Sequence, residues 1–194
     1  MIVLTVIGTT YGEGMINNGE DKTKYDAINL AATESVQTNY TLYQNINVMV
    51  FIGFGFLMVF LKTNSWSAVG FNFIIACWAI QWTVLCQGFW DKVLVGNMVG
   101  PIEMNVKSLI IGDYGAAAIL ITHGALLGKV TFAQLYMLVT LEVIFYTLNY
   151  VVCISVLGAV DIGGSMTIHM FGAYFGLTST FFFKSRKAIK DEFD

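Results

Sequence analysis

Charge and proline are both scarce in this sequence. Charged side chains make up 12% of the 194 residues, about half the usual share for a globular protein. Pro101 is the single proline. Ten Lys and Arg against thirteen Asp and Glu leave a net charge of -3, so no basic surface indicates a nucleic-acid partner. Hydrophobic residues reach 56%, and this composition excludes an ordinary soluble domain.

Cysteine and histidine are scarce as well. The three cysteines, Cys77, Cys86 and Cys153, all lie in apolar stretches. An odd number of cysteines in such places predicts neither a disulfide framework nor a metal site, and we interpret them as packing residues. The sequence contains no nucleophile–base set and no cofactor motif. We therefore predict that the protein is not an enzyme and has no cofactor.

What is present instead is long uncharged apolar sequence. No charged residue lies between Glu34 and Lys62, or between Lys62 and Asp91. Apolar runs of roughly 18 residues or more are typical of membrane-spanning helices. The sequence therefore predicts an all-α, polytopic membrane helical bundle with about five transmembrane helices. The predicted spans are Tyr43–Leu61, Trp66–Gly88, Val106–Gly128, Val130–Leu157 and Gly163–Phe183.

The spans divide the chain into three parts. Residues 1–42 form a polar segment that carries the remnant of a first helix, "MIVLTVIG". The membrane domain covers 43–184, and a charged tail covers 185–194. Lys62, Lys129 and the basic tail fall on one side of the membrane, so the positive-inside rule predicts the tail inside and the polar segment outside. A glycosylation sequon at Asn39 lies in that outward segment.

Two glycine patterns and two polar residues stand out within the spans. "GALLG", from Gly124 to Gly128, and "GAYFG", from Gly172 to Gly176, have the GxxxG spacing that lets helix backbones pack closely. Glu142 in the fourth span would cost roughly a few kcal/mol if it faced lipid. We expect Glu142 to need either a polar partner or a protonated state, and His123 on the preceding helix is a candidate partner.

The stretch "DIGGSMTIHMFGAYFGL", from Asp161 to Leu177, leads into the last span. At about 100° per residue from Asp161, a small or polar stripe falls within about 80° of arc. It consists of Asp161, Ser165, His169, Gly172 and Gly176. The same position makes Asp161 a predicted N-cap for the amides of Gly163 and Gly164.

Two interpretations of His169 are open at this stage. It is either a buried neutral imidazole that makes one hydrogen bond to a neighbouring helix, or a pore-lining group that binds a small polar permeant. Ionisable residues within a membrane are functional candidates by default.

Four sequence blocks resemble the Rhesus (Rh) glycoprotein branch of the ammonium transporter family. They occur in family order and, taken together, the similarity covers about residues 43–184. The blocks are "NVMVFIGFGFLMVFLK" (47–62), "SAVGFNFIIACWAIQW" (67–82), "GALLGKVTFAQL" (124–135) and "DIGGSMTIHMFGAYFGL" (161–177).

This resemblance implies one half of an inverted repeat, in a family of trimers with one narrow apolar pore per subunit that carries ammonium or ammonia. By the same resemblance His169 matches the first of two pore histidines. Asp161 matches the acid that precedes that helix and supports the recruitment site. Tyr114 stands where the family has a phenylalanine of the outer gate.

The chain also departs from the family pattern. The second half of the repeat is absent from this sequence, and Asn45, Asn47 and Tyr150 stand where Rh proteins typically have Asp, His and an acidic residue. Two functions remain open. The first is ammonium or ammonia transport as a half-length subunit that needs a complementary half.

The second is a non-transporting, Rh-derived accessory subunit of a larger membrane complex, in which Glu142 and His123 would be partner contacts. The expected partners are the lipid bilayer and other membrane protein chains, either further copies or a larger complex. The expected location is the plasma membrane, with the mitochondrial or another organellar inner membrane as the alternative.

Overall fold

The computed structural model describes residues 9–11, 36–60, 65–96 and 101–183. Five helical segments account for most of them. They are α1 (36–60), α2 (Ser65–Val95), α3 (Val106–Leu126), α4 (Phe132–Val156) and α5 (Ser165–Met170 continued by Phe171–Phe182). Two three-residue strands, β1 (Thr9–Tyr11) and β2 (Ile102–Met104), pair in parallel.

The predicted all-α membrane bundle is confirmed for the described residues. Among these, three helices, α2, α3 and α4, are long and apolar enough to cross a membrane. Helices α1 and α5 occupy the places of the other two predicted spans, and each contains a wide, π-helical turn, at Met49–Gly53 and at Ser165–Met170. Large apolar side chains such as Leu141 and Phe145 are exposed on α4, as expected for a surface that faces lipid.

The helix ends differ from the predicted spans for local reasons. Helix α1 is already formed at residue 36, so the predicted division at residue 42 falls inside a helix. Helix α2 continues past Gly88 to Val95. Helices α3 and α4 begin at capping boxes, in which Asn105 pairs with Ser108 and Thr131 pairs with Gln134. Such reciprocal bonds satisfy the first free amides of a helix.

The charged tail 185–194 and residues 12–35 lie outside the described residues. The predicted orientation across the membrane depends on these segments and stays a prediction.

Helix α3 is the centre of the bundle. In its most apolar stretch 67% of the residues are buried, against 39% for α2 and 33% for α4. Its small residues allow the close packing. A Cβ at Gly112 would lie 3.0 Å from the Ile80 carbonyl oxygen, and one at Gly115 would overlap the Thr83 side chain. Helix α2 therefore packs on α3 at a distance that larger residues would not permit.

The two GxxxG patterns have different roles. Gly172 and Gly176 pack α5 onto α3, because a Cβ would lie 2.6 Å from the Ala118 carbonyl oxygen and 3.0 Å from Thr122 Cα, respectively. The other pair makes no close helix contact among the described residues, and its packing role stays a prediction. Gly124 is exposed, and Gly128, with φ +73°, lies in the turn that follows α3. A positive φ at this position is the usual glycine termination of a helix.

Helices α2 and α4 are joined by tryptophan indoles. Trp78 donates to the Thr140 hydroxyl at 3.2 Å, and Trp82 donates to the Thr140 carbonyl at 3.0 Å. Trp90 donates to the Ile144 carbonyl at 3.2 Å. These bonds satisfy the polar indole groups between two otherwise apolar helices.

Candidate functional site

The start of α5 is built around Asp161. Gly163 and Gly164 both have positive φ, +77° and +70°, a conformation that side chains disfavour. The chain therefore turns sharply between Asp161 and the helix. The carboxylate then accepts hydrogen bonds from the amides of Met166, at 3.2 Å, and Thr167, at 2.8 Å. Asp161 does cap the helix, but the predicted target amides, Gly163 and Gly164, are wrong because these glycines form the turn.

Thr167 binds the same carboxylate twice. Its hydroxyl also donates to Asp161 Oδ2 at 2.8 Å. The amide of Thr167 is the main reason why the pKa of Asp161 lies below its ordinary value of 3.8, and the Thr167 hydroxyl and neighbouring amides add to the effect. Asp161 is consequently an anion at the free amides of a helix N-terminus, where negative charge is favoured.

The predicted single stripe on α5 is wrong. Gly172 and Gly176 are buried against α3, whereas Ser165 and His169 are exposed. The prediction assumed an unbroken α-helix from Asp161. Instead the helix starts at Ser165 with a wide turn of i→i+5 bonds, which advances more residues per turn. The two halves of the predicted stripe are thereby rotated onto different faces.

A cleft of about 350 Å³ lies between α1, α3, α4 and the start of α5. It brings together three of the four predicted transport residues, His169, Asp161 and Tyr114. The fourth, Ser165, does not line the cleft, and its hydroxyl lies 3.5 Å from the Ile162 carbonyl. The cleft is also lined by Ile46, Met49, Phe54, Ala117, Tyr150, Ile154, Gly163, Gly164, Thr167 and Ile168.

Several of these lining residues were missed by sequence reasoning. Ile46, Met49 and Phe54 are apolar residues of α1, and nothing in their periodicity separates a cleft wall from a packed core. Thr167 was missed because Asp161 was placed inside the helix. The adjacent glycines were the available signal, since a Gly-Gly pair typically marks a turn.

A second polar pair lies close to the cleft, on the α1 and α3 walls. Asp113 is fully buried, and its Oδ2 accepts a hydrogen bond of 2.9 Å from the Asn47 side-chain amide. Asn47 also donates to the Tyr43 carbonyl at 3.1 Å. Asn45 is exposed. Of the two asparagines that depart from the Rh pattern, Asn47 therefore joins α1 to α3.

Glu142 and His123 do not form the predicted pair. Glu142 is fully buried, and its Oε1 contacts the Thr122 hydroxyl rather than His123. His123 is 2% exposed, and its Nδ1 has no partner among the described residues. It lines a separate cavity near the α3–α4 turn. Both side chains are buried inside this chain, and the expectation that they contact a partner chain stays a prediction.

Comparison with known proteins places the chain in a family. The model of the Ammonium Transporter Family matches residues 21–193. The chain belongs to the ammonium transporter family. The resemblance seen in the four sequence blocks is thereby confirmed.

Individual relatives support the Rh branch. The chain is 44% identical over 166 residues to Ammonium transporter Rh type B of Danio rerio, which covers 84% of this chain and 35% of that protein. It is 49% identical over 138 residues to the protein of the same description from Rattus norvegicus, which covers 71% of this chain and 30% of the relative. The Mus musculus protein gives the same identity and coverage. The chain thus spans about a third of the length of these relatives.

Family membership and the apolar helices agree on the class of protein. The family is one of transporters rather than enzymes. The long apolar helices α2, α3 and α4 make the chain an integral membrane protein.

Proposed function

We propose that the chain takes part in transmembrane transport of ammonium or ammonia, as one half of an Rh-type channel. The cleft beside α5 would be one wall of the permeation path. The observation that carries this proposal is the meeting of His169, Asp161 and Tyr114 at one cleft. These are residues that the resemblance to the family assigns to the pore.

The chemistry of the cleft suits a small neutral amine. Its α1 wall is apolar, with Ile46, Met49 and Phe54. Removing a cation from water into such surroundings is expensive unless the charge is compensated. Ammonium that releases its proton before entry becomes ammonia, for which the penalty is far smaller. His169 supplies an imidazole, which in its neutral form can both donate and accept hydrogen bonds.

A role as one half of the channel is supported by the outward face of α5. Tyr174, Leu177 and Phe181 are 66%, 56% and 72% exposed. His169 is exposed on the same helix. An apolar surface next to an ionisable group suits contact with a complementary half of the transporter, which would supply the second wall of the path.

The decisive experiment is His169→Ala, with Met170→Ala as the matched control. Met170 is the next residue, is also exposed, and does not line the cleft. Ammonia that enters a membrane vesicle takes up a proton, so the alkalinisation of the lumen after addition of ammonium measures the flux. We expect His169→Ala to change the alkalinisation rate of vesicles from cells that make the chain, and Met170→Ala to leave it unchanged. Equal rates in the wild type and His169→Ala would reject the transport role.

A non-transporting subunit of a larger membrane complex is the second candidate. The connection between α4 and α5 favours it, because Leu157, Val160 and Ile162 are 72%, 82% and 88% exposed there. Apolar residues outside a helical span typically mark a contact with another protein. If this is the function, Ile162→Ser should reduce recovery of partner chains in mild detergent, and vesicles with the wild-type chain should show no flux above those without it.

A further inference from the structure

The Thr122 hydroxyl lies between two oxygen atoms from two other helices. It contacts Glu142 Oε1 on α4, and it is 3.0 Å from the Gly172 carbonyl oxygen on α5. All three residues are buried. Gly172 makes the second contact possible, since its missing side chain allows the α5 backbone to approach α3.

Counting protons decides how these contacts are made. A threonine hydroxyl has one proton to donate and two lone pairs that accept. A carboxylate and a backbone carbonyl are both acceptors only. If Glu142 were ionised, the single Thr122 proton would have to serve two acceptors, and one of the two oxygen–oxygen contacts would have no hydrogen between its atoms.

The surroundings of Glu142 also disfavour the ionised form. Its second oxygen, Oε2, has no hydrogen-bond partner in the described part of the chain, and neither does Nδ1 of the neighbouring His123. No cation among the described residues is in contact with the carboxyl. An unpaired buried carboxylate is expensive in a membrane helix, whereas a protonated carboxyl leaves only one neutral carbonyl oxygen unsatisfied.

We propose that Glu142 is a neutral carboxylic acid that donates its proton to Thr122, which donates in turn to the Gly172 carbonyl. This relay joins α4, α3 and α5 and uses every proton once. The relay ends three residues after His169, so it fixes the helix that carries the histidine. Glu142 and Thr122 are positioning residues for His169, and that part of the inference rests on the proposed function.

The protonation state can be measured directly. The infrared carbonyl stretch of a protonated carboxyl is separate from the bands of a carboxylate, and we expect it at neutral pH for the full chain in lipid vesicles. With the glutamate carboxyls labelled with ¹³C, the shifted glutamic acid band should disappear in Glu142→Gln and persist in Asp113→Asn, which alters the other fully buried carboxyl of the described helices. Labelling all glutamate carboxyls with ¹³C in the wild type should shift the band, a test that needs no variant to fold. A wild-type spectrum without a glutamic acid band would overturn the proposal.

The positioning role has its own readout. The chain has two histidines, so ¹⁵N spectra resolve the His169 imidazole once His123→Asn assigns the other signal. Thr122→Val should move the His169 signals, whereas Thr122→Ser and Glu142→Gln should leave them in place, because a serine hydroxyl and a glutamine amide preserve the relay. Equal shifts in Thr122→Val and Thr122→Ser would overturn it.

The two proposals fail separately. If His169→Ala leaves the flux unchanged, the transport role is rejected, but the infrared band still decides whether Glu142 is neutral. If the band is absent while His169→Ala alters the flux, transport stands and the relay is wrong.

Discussion

Asp161 and Glu142 are two carboxyl groups that hold the same helix in opposite ways. Asp161 lies at the edge of the bundle and accepts hydrogen bonds from two amides and one hydroxyl of α5. Glu142 lies in the interior, has one contact, with Thr122, and leaves Oε2 without a partner in the described chain. Sequence alone predicts Asp161 as an N-cap and Glu142 as an acid within a span, but it does not show that both hold α5.

The difference shows that the number of nearby hydrogen-bond donors decides whether a carboxyl group is ionised or neutral. A helix N-terminus has free amides that stabilise an anion. A helix interior has none, so a carboxyl there is accommodated best with its own proton. His169 lies between the two attachment points, eight residues after Asp161 and three before Gly172. The position of the candidate pore histidine thus depends on one ionic and one neutral contact.

The largest expected effect comes from separating α5 from α3. Gly172→Leu would place a side chain where even a Cβ lies 2.6 Å from the Ala118 carbonyl oxygen. Overpacking of this kind destabilises by about 1–3 kcal/mol, sometimes more, and here it also pulls the Gly172 carbonyl away from Thr122. We expect a clear loss of thermal stability in detergent and a shifted His169 signal.

Gly70→Leu is the matched control for this substitution. Gly70 is also a helical glycine, but a Cβ there would meet nothing within 4 Å. It should leave the melting temperature nearly unchanged. Equal melting temperatures for Gly172→Leu and Gly70→Leu would show that α5 does not pack on α3 as described.

A substitution at the edge of the bundle should have a smaller effect on the free energy of unfolding, and that effect should depend on pH. Asp161→Ala removes the cap, and loss of an N-cap costs about 1 kcal/mol. Folding lowers the pKa of Asp161 below 3.8. Its contribution to the free energy of unfolding is therefore complete above pH 3.8, and it is lost as the pH falls through the lower pKa of the folded state. The stability difference between the wild type and Asp161→Ala should therefore be constant near pH 7 and shrink below about pH 4.

Thermal unfolding in detergent at several pH values measures this difference. Thr178→Val serves as a control, because Thr178 is exposed and its hydroxyl bonds only to the Tyr174 carbonyl of its own helix. A difference between the wild type and Asp161→Ala that grows on acidification would contradict the assigned sign.

The helices were predictable from the sequence because their signal is strong and local. Apolar runs separated by a few polar residues indicate each span, and α2, α3 and α4 lie where those runs predict. The exact ends were less predictable, since a helix can continue through polar residues such as Asp91 and Lys92 once it leaves the apolar layer.

The site was predictable only in part. Residue identity and family resemblance indicated His169, Asp161 and Tyr114, which do line one cleft. The direction in which each side chain of α5 points was not predictable, because it depends on where the helix begins and on the number of residues in its first turn. Two glycines with positive φ and one wide turn rotate His169 away from Gly172 and Gly176. The Glu142–Thr122 contact was also missed, because the relative depth of α3 and α4 is a tertiary property that spacing along the chain does not encode.

Ser165 provides the smallest and most specific test of which side chains at the start of α5 line the path. A regular helix from Asp161 would place Ser165 on the same face as His169 and Gly172, where loss of its hydroxyl would alter either packing or permeation. In the structure Ser165 is exposed, and its hydroxyl is 3.5 Å from the Ile162 carbonyl, at the limit of a hydrogen bond. Ser165→Ala should therefore change the free energy of unfolding by less than about 0.5 kcal/mol, as is usual for exposed positions. It should also leave vesicle alkalinisation unchanged, in contrast to His169→Ala. A flux change in Ser165→Ala as large as that in His169→Ala would mean that Ser165 lines the path together with His169, and that the cleft, which Ser165 does not line, is not the wall of that path.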